Sequence, residues 1–208
     1  MTDVTVIGLP QSNYVWAVRI ALAEKGVAHE VVNAPPHSPE VRAVHPLGKI
    51  PVLRHGEVAI AESRAIIDYV DETFAGARLV PQDPGGRGAS DMWTAIVTTA
   101  IEPLLIRQFL FAYMFPGTPD NQPDPARIDT LLPEVVKILD MLETALANGQ
   151  IGGAAFGRVD AYLVPILFYC RTTPVGAELI GARPRVSAYL DRQIARDSVA
   201  ATMPGVTA

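Results

Sequence analysis

Residues 45–66 read HPLGKIPVLRHGEVAIAESRAI and carry most of the information about the fold. Two short apolar runs, 51–53 and 57–60, flank Arg54-His55-Gly56, and this pattern predicts a β-hairpin joined through those three residues. Ser63 stands before apolar residues at helical spacing, so we expect it to cap a helix. A hairpin followed at once by a helix indicates one half of a small α/β domain.

The preceding residues supply the other half of that domain. Residues 4–8 form a short apolar run, and residues 29–33, which include Val31 and Val32, form a second segment with the length of a short strand. Between them, apolar side chains recur at helical spacing until Gly26, which suits a helix end because glycine enters the left-handed region freely. Ser38 before Pro39 predicts a further short helix. The order βαβ and then αββα predicts a mixed sheet with helices packed on it.

The chain changes character after residue 80. Residues 81–89 contain two prolines and three glycines and are predicted to form a linker. Beyond them the pattern is helical, with Ser90 expected to cap the first helix and Pro103 expected to kink it. We therefore expect two domains, an α/β domain at 1–80 and an all-helical domain at 90–208.

Composition and charge narrow the function classes. The 208 residues are 49% hydrophobic and 19% charged, which is typical of a globular protein. The net charge is −5 and no basic cluster exists, so we expect no nucleic-acid partner. A single cysteine excludes an internal disulfide. No apolar run approaches the length of a membrane span and the first residues lack the basic region of a signal peptide, which predicts a cytoplasmic protein with no membrane partner.

The sequence lacks the motifs of several kinds of catalytic site. The four histidines are not spaced as metal ligands and no CxxC pair exists, so we expect no metal. The turn after the first strand lacks the glycines of a dinucleotide-binding loop. Ser12 lies outside any GxSxG elbow, so an esterase triad has no support.

Three polar stretches remain as candidate sites, and each allows two interpretations. Ser12 stands at the start of the first helix, where it either caps the helix or donates a hydrogen bond to an anion at the positive helix end. Pro51 follows Ile50 either as an ordinary strand start or as a cis-proline. Glu62 and Ser63 either belong to a helix cap or hold the ammonium and carboxylate of an amino-acid-like ligand.

In this order and spacing the three stretches resemble the cytosolic glutathione transferase family, and the resemblance covers nearly the whole chain. Residues 49–53 followed by 62–66 look like the glutathione-site signature of that family. Gly157 and Asp160 are similar to the family's capping box, with glycine in place of Ser or Thr, and His45 stands where the family usually has Asn. The resemblance implies a thioredoxin-like α/β N-terminal domain and an all-α C-terminal helical domain.

The resemblance also implies roles at the glutathione site. Pro51 matches the family's cis-proline, which turns the backbone of Ile50 toward the cysteinyl part of glutathione. Glu62 and Ser63 match the residues that hold the γ-glutamyl end, and Lys49 matches a position that often meets the glycyl carboxylate. The implied glutathione-binding residues are Lys49, Ile50, Pro51, Glu62, Ser63 and Arg64.

Ser12 falls where the serine-type classes of the family carry their catalytic hydroxyl, so the chain resembles a theta-, delta- or zeta-like bacterial member. Tyrosine-type classes take that hydroxyl from a tyrosine in the first strand, and residues 5–7 contain none. The resemblance thus implies that Ser12 stabilises the glutathione thiolate, with Asn13 or Tyr14 as the alternative contact to sulfur.

As a whole, the resemblance implies a glutathione transferase that uses glutathione as co-substrate in detoxification and works as a homodimer. Two alternatives stay open: a binding module with the same fold and no transferase activity, and a glutathione-dependent isomerase. The electrophile is expected between the two domains, although aromatic side chains at helical spacing also occur as plain core. The candidate second-substrate residues are Leu9, Pro10, Phe109, Tyr113 and Tyr169.

Overall fold

The computed structural model describes residues 3–205, which divide into two compact units. The first unit contains residues 3–87 together with 195–205, and the second contains residues 88–194. The last described residues therefore belong with the first unit, whereas the sequence analysis placed them in the helical domain. As domain boundaries, 1–80, 81–89 and 90–208 stay a prediction.

A four-stranded mixed sheet forms the centre of the first unit, as predicted. The strands are β1 (Val4–Ile7), β2 (Glu30–Val32), β3 (Val52–His55) and β4 (Val58–Ala61). They lie in the order β2-β1-β3-β4, with β1 parallel to β2 and the other two pairs antiparallel. The helices of this unit that precede the second unit are α1 (Asn13–Glu24), α2 (Pro39–Arg42) and α3 (Ser63–Thr73).

The hairpin and the start of α3 differ in detail from the prediction. The turn between β3 and β4 consists of Gly56 and Glu57 alone, so Arg54 and His55 are ladder residues of β3 and not part of the connection. A two-residue turn is favoured because Gly56 adopts a φ of 55°, which glycine reaches without a steric cost. Ser63 is the first residue of α3, and the cap position belongs to Glu62.

The second unit is all-helical, as expected. Its first helix is α4 (Pro84–Ile96), whose first four residues belong to the first unit. Helix α4 continues through π-helical turns at Val97–Ile101 and Pro103–Leu110 into α5 (Phe111–Met114). The helices that follow are α6 (Pro125–Ala147), α7 (Arg158–Arg171), α8 (Pro174–Gly181) and α9 (Pro184–Ile194).

Helix α4 begins inside the predicted linker. Asp83 caps it, because its Oδ1 accepts a hydrogen bond of 2.7 Å from the Gly86 N–H, and Pro84 occupies the first helical position. Ser90 is therefore not a cap but a buried residue within α4. Pro103, which was expected to kink this helix, is the first residue of a π-helical stretch, and π-helical turns occur where the hydrogen-bond ladder of a helix is disrupted. The kink itself stays a prediction.

The start of α7 is fixed by one buried carboxylate. Asp160 accepts a hydrogen bond of 2.8 Å from the Gly157 N–H and one of 2.7 Å from the Tyr189 hydroxyl of α9. Gly157 has no side chain, so only the carboxylate half of a capping box forms here. Burial, together with the nearby Asp160, raises the pKa of Tyr189 well above its usual value, so the hydroxyl stays a donor.

The helical segment Pro84–Met114 is long and apolar enough to cross a bilayer by length and composition, with a mean hydropathy of 1.4 over 18 residues. In the fold, 44% of this 18-residue stretch is buried. The same segment supplies Trp93, Val97, Ile101 and Leu105 to the core of the second unit. Core helices of soluble proteins also reach this length and apolar content, so the segment is weak evidence for a membrane span.

The last described residues pack on helix α1 within the first unit. The Trp16 indole N–H donates to the Thr202 hydroxyl at 3.1 Å. The Arg196 guanidinium donates two hydrogen bonds, of 3.0 and 2.8 Å, to the carboxylate of Glu24 at the end of α1. Ser198, in the short helix α10 (Asp197–Ala200), also donates to Glu24. Residues 196–202 thus pack against α1.

Candidate active site

The register of the sheet brings the three predicted site stretches to one end of it. Ile7 at the end of β1 pairs with Val52 at the start of β3, and Val52 pairs with Ala61 at the end of β4. The turn after β1, the residues before β3 and the residues after β4 therefore lie at the same end of the sheet. These segments contain Ser12, Ile50, Pro51, Glu62 and Ser63.

Ser12 occupies the cap position of α1. Its Oγ accepts a hydrogen bond from the Val15 N–H at 3.5 Å, which is long and therefore weak. The Ser12 side chain is half-buried, and the next residue, Asn13, is buried. A hydroxyl carries one donor and two acceptor positions, so the Ser12 proton stays available while the oxygen caps the helix. The two interpretations of Ser12 are compatible in this geometry.

The Ile50–Pro51 peptide bond is cis, as the resemblance implied. Ile50 is half-buried and lies against Gly8, the residue that follows β1. A Cβ atom at Gly8 would lie 3.1 Å from the Cβ of Ile50 and 2.6 Å from Cγ2 of Val15. Glycine at this position therefore allows α1 and the backbone before β3 to approach closely at the site.

Glu62 connects β4 to α3 in an unusual backbone conformation. Its φ is 69°, a region that residues other than glycine rarely occupy and that occurs preferentially at functional sites. The Glu62 side chain is 70% exposed, and its Oε1 lies 3.0 Å from Nε2 of His45. Ser63 begins α3, so the N-terminus of that helix, with its partial positive charge, lies directly after Glu62.

The electrostatics at this sheet end favour an anion, although the chain as a whole is acidic. Helices α1 and α3 both begin here, and a helix N-terminus carries a partial positive charge. Lys49 is exposed immediately before Ile50. Arg64 is also exposed, and its Nε is 3.9 Å from Oδ2 of Asp68, a distance at the outer limit of an ion pair.

One buried residue of the site was missed by the sequence reasoning. The His45 side chain is 4% exposed and connects two segments of the site. Its Nδ1 accepts a hydrogen bond of 3.0 Å from the Leu47 N–H, and its Nε2 lies 3.0 Å from Oε1 of Glu62. The sequence contained one signal, the departure from Asn at this position, but the partner lies 17 residues away and is reached only through the sheet.

The residues predicted to contact the second substrate divide between the two units. Leu9 and Pro10 are half-buried in the turn after β1. Phe109 is fully buried in the second unit, with its ring centroid 5.5 Å from that of Tyr113. Burial raises the pKa of Tyr113, and Tyr169 is half-buried. Phe109 has the burial of a core residue, and the contact of all five with an electrophile stays a prediction.

The protein's own thiol is poorly suited to chemistry. Cys170 is buried in α7, and desolvation raises the pKa of its thiol to about 12. The thiolate is the reactive form, so Cys170 is a weak nucleophile in the folded state.

Among residues 3–205, no group of three His, Cys, Asp or Glu side chains is placed to hold a metal ion.

Comparison with known proteins identifies the family. Residues 6–78 match the family described as glutathione S-transferase, N-terminal domain, and residues 125–192 match the corresponding C-terminal domain. A probable glutathione S-transferase from rice, Oryza sativa subsp. japonica, is 32% identical over 212 residues, which cover 96% of this chain and 94% of the relative. The chain belongs to the cytosolic glutathione S-transferase family.

Solved glutathione S-transferase structures share its fold over the full length. Glutathione transferase F7 from Populus trichocarpa is 25% identical with a TM-score of 0.86, covering 99% of this chain and 100% of that one. The theta-class glutathione S-transferase of Xanthomonas axonopodis pv. citri, solved with glutathione bound, is 26% identical with a TM-score of 0.81 and covers 100% of both chains. The predicted glutathione transferase fold is confirmed.

Proposed function

We propose that this protein is a serine-type glutathione transferase, which activates the thiol of bound glutathione for attack on a small hydrophobic electrophile. The observation that carries the proposal is the convergence of two polar side chains at one sheet end. Ser12 lies at the start of α1 and Glu62 at the start of α3, and the pairing of Ile7, Val52 and Ala61 brings both helix starts to the same side.

Glutathione is the co-substrate in this proposal, and its charged groups match the side chains at this end of the sheet. The exposed carboxylate of Glu62 pairs with the α-ammonium of the γ-glutamyl residue. Ser63 and the N–H groups of the first turn of α3 bind the γ-glutamyl carboxylate, with Arg64 adding positive charge. The backbone of Ile50 pairs with the cysteinyl residue, and Lys49 meets the glycyl carboxylate.

The proposed chemistry begins with the ionisation of the glutathione thiol. A free thiol has a pKa of about 8.5 and is mostly protonated at neutral pH. The Ser12 hydroxyl donates a hydrogen bond to the sulfur, and the N-terminus of α1 adds positive potential, so both favour the thiolate. The thiol proton passes to solvent, the thiolate forms a carbon–sulfur bond, and the leaving group departs with its electron pair. Ser12 keeps its proton throughout.

The wider setting of the enzyme is part of the proposal. We propose a cytoplasmic homodimer that acts in detoxification, because cytosolic glutathione transferases typically have this organisation. No nucleic-acid partner is expected for a chain with a net charge of −5.

A two-step experiment tests the function. The protein should be retained on immobilised glutathione, elute with free glutathione, and then conjugate glutathione to a generic aryl halide. Retention without turnover would favour a binding module of the same fold. Isomerisation of a cis-alkene substrate without consumption of glutathione would favour the isomerase alternative. Absence of both retention and turnover would contradict the proposed function.

A further inference from the structure

We infer that His45 is a positioning residue of this enzyme, which orients the carboxylate of Glu62 toward the ammonium group of glutathione. The inference rests on the proposed function, because it concerns the same γ-glutamyl site. His45 does not itself touch glutathione in this proposal. Its effect on binding passes through Glu62.

Burial and backbone hydrogen bonds restrict the position of the His45 imidazole. The side chain is 4% exposed, and the His45 backbone N–H donates to the Val41 carbonyl at 2.8 Å. The His45 carbonyl accepts a hydrogen bond of 2.9 Å from the Gly48 N–H, which closes a turn over residues 45–48. A buried ring held by its own turn has little freedom to rotate. His45 is therefore a fixed point at the edge of the site.

The hydrogen bonds of the ring determine which nitrogen faces Glu62 as a donor. The Leu47 N–H donates to Nδ1, so Nδ1 is the unprotonated nitrogen. The ring hydrogen then resides on Nε2, which donates to Oε1 of Glu62 at 3.0 Å. Nδ1 thus accepts from the backbone of Leu47, and Nε2 donates to the carboxylate of Glu62.

Glu62 needs an external support because its side chain is mostly in solvent. At 70% exposure, a glutamate loses considerable side-chain freedom when it is fixed on a ligand. The bond to His45 occupies one carboxylate oxygen and leaves the other oxygen available to an ammonium group. Preorganisation of this kind raises affinity by lowering the cost of ordering on binding.

Two variants of nearly equal polarity separate the two hydrogen bonds of the ring. His45→Asn keeps an acceptor at the place of Nδ1 for the Leu47 N–H but is too short to reach Glu62. Asn is also the residue that the family usually has here, so the fold is expected to tolerate it. His45→Gln is long enough to place an amide N–H where Nε2 lies. The pair therefore tests the bond to Glu62 with the polar character of the position kept.

The expected result is a change in glutathione binding and not in turnover. His45→Asn should raise the glutathione Kd, measured by calorimetry, and KM by about 3- to 10-fold, with kcat changed less than about 2-fold, since one hydrogen bond is lost. His45→Gln should restore Kd to within about 2-fold of the parent. In a Glu62→Ala background, His45→Asn should have no further effect, because the bond no longer exists.

The possible failures are distinguishable. If Glu62→Ala raises Kd but His45→Asn does not, the positioning role is wrong and the proposed function stands. If His45→Asn and His45→Gln are equally impaired, or if the effect of His45→Asn persists without Glu62, the role of His45 is purely structural. If Glu62→Ala leaves Kd unchanged, the proposed γ-glutamyl site itself is wrong, and this inference falls with it.

A measurement on the unsubstituted ring covers the case in which a His45 variant does not fold. Long-range nitrogen–proton NMR spectra should show His45 as the tautomer protonated at Nε2, with its Nε2 resonance shifted by Glu62→Ala. The exposed Glu62 side chain makes that substitution compatible with folding. The opposite tautomer, or an Nε2 resonance that does not respond, would overturn the inference.

Discussion

Replacement of Ser12 by alanine separates the two functions that the structure gives to one hydroxyl. As a cap, Ser12 accepts from the Val15 N–H at 3.5 Å, so its loss should reduce the free energy of unfolding by only about 0.5 kcal/mol, the low end of the range for caps. As a donor to the thiolate, the same hydroxyl makes a charge-assisted hydrogen bond of about 1.5–3 kcal/mol. Ser12→Ala should therefore lower kcat by about 10- to 150-fold while the protein stays folded.

The assay measures kcat with an aryl halide at saturating glutathione, together with the pKa of the bound thiol from the ultraviolet absorbance of the thiolate. Ser12→Ala should raise that pKa while glutathione still binds. Ser12→Gly is the matched control for the cap, because glycine at the N-cap costs only a few tenths of a kcal/mol, and it should lose activity as Ser12→Ala does. Ser12→Thr keeps the hydroxyl and should retain most of the turnover.

An unchanged kcat and thiol pKa in both Ser12→Ala and Ser12→Gly would refute the catalytic role of this hydroxyl. The donor to sulfur would then have to be sought in Asn13 or Tyr14, which follow it in α1. A loss of kcat that parallels a large loss of stability would instead show that the cap, and not the thiolate, is what Ser12 supports.

Three further predictions concern the rest of the molecule. Cys170, with its thiol pKa raised to about 12 by burial, should resist thiol reagents in the native state and react at once in denaturant; fast native labelling would contradict its burial. Burial lowers the pKa of His29 below 6.5, so on acidification His29 is protonated at a higher pH in the unfolded chain than in the folded protein. The free energy of unfolding should therefore fall as pH drops below 6.5. Denaturant titrations should show a smaller fall for His29→Gln. Light scattering at micromolar concentration should give twice the chain mass of 22.3 kDa, and a monomer would be inconsistent with the proposed homodimer.

The sheet and most helices could be predicted because their signals are local. Apolar runs of strand length and stripes at helical spacing depend on neighbouring residues only. The start of α4 could not be predicted so easily, because residues 84–88 contain Pro84 and three glycines, which read as a linker. The hydrogen bond from the Gly86 N–H to Asp83 and the burial of Trp93 further along α4 outweigh the low helix propensity of glycine.

The candidate site also contains residues with local sequence signals and one residue whose role depends on a long-range contact. The positions of Ser12, Pro51 and Glu62 at the ends of elements followed from local patterns, and the register of the sheet then brings them together. His45 could not be assigned to Glu62 from the sequence, because the hydrogen bond between them depends on how α2 and the turn after it pack beside the sheet. Long-range hydrogen bonds of single side chains leave no periodic trace in a sequence.

Because residues 196–202 pack on α1, the first unit is completed only late in the synthesis of the chain. Thr202 and Arg196 reach partners that precede them by 186 and 172 residues. During synthesis, the strands and helices of residues 3–87 leave the ribosome long before Arg196 and Thr202 are added to the chain. The indole N–H of Trp16 and the carboxylate of Glu24 gain these hydrogen bonds only after residues 196–202 have been synthesised, so a nascent chain stalled before Arg196 lacks part of the first unit. Deletion of residues 196–205 should therefore destabilise the first unit, most of which is translated first.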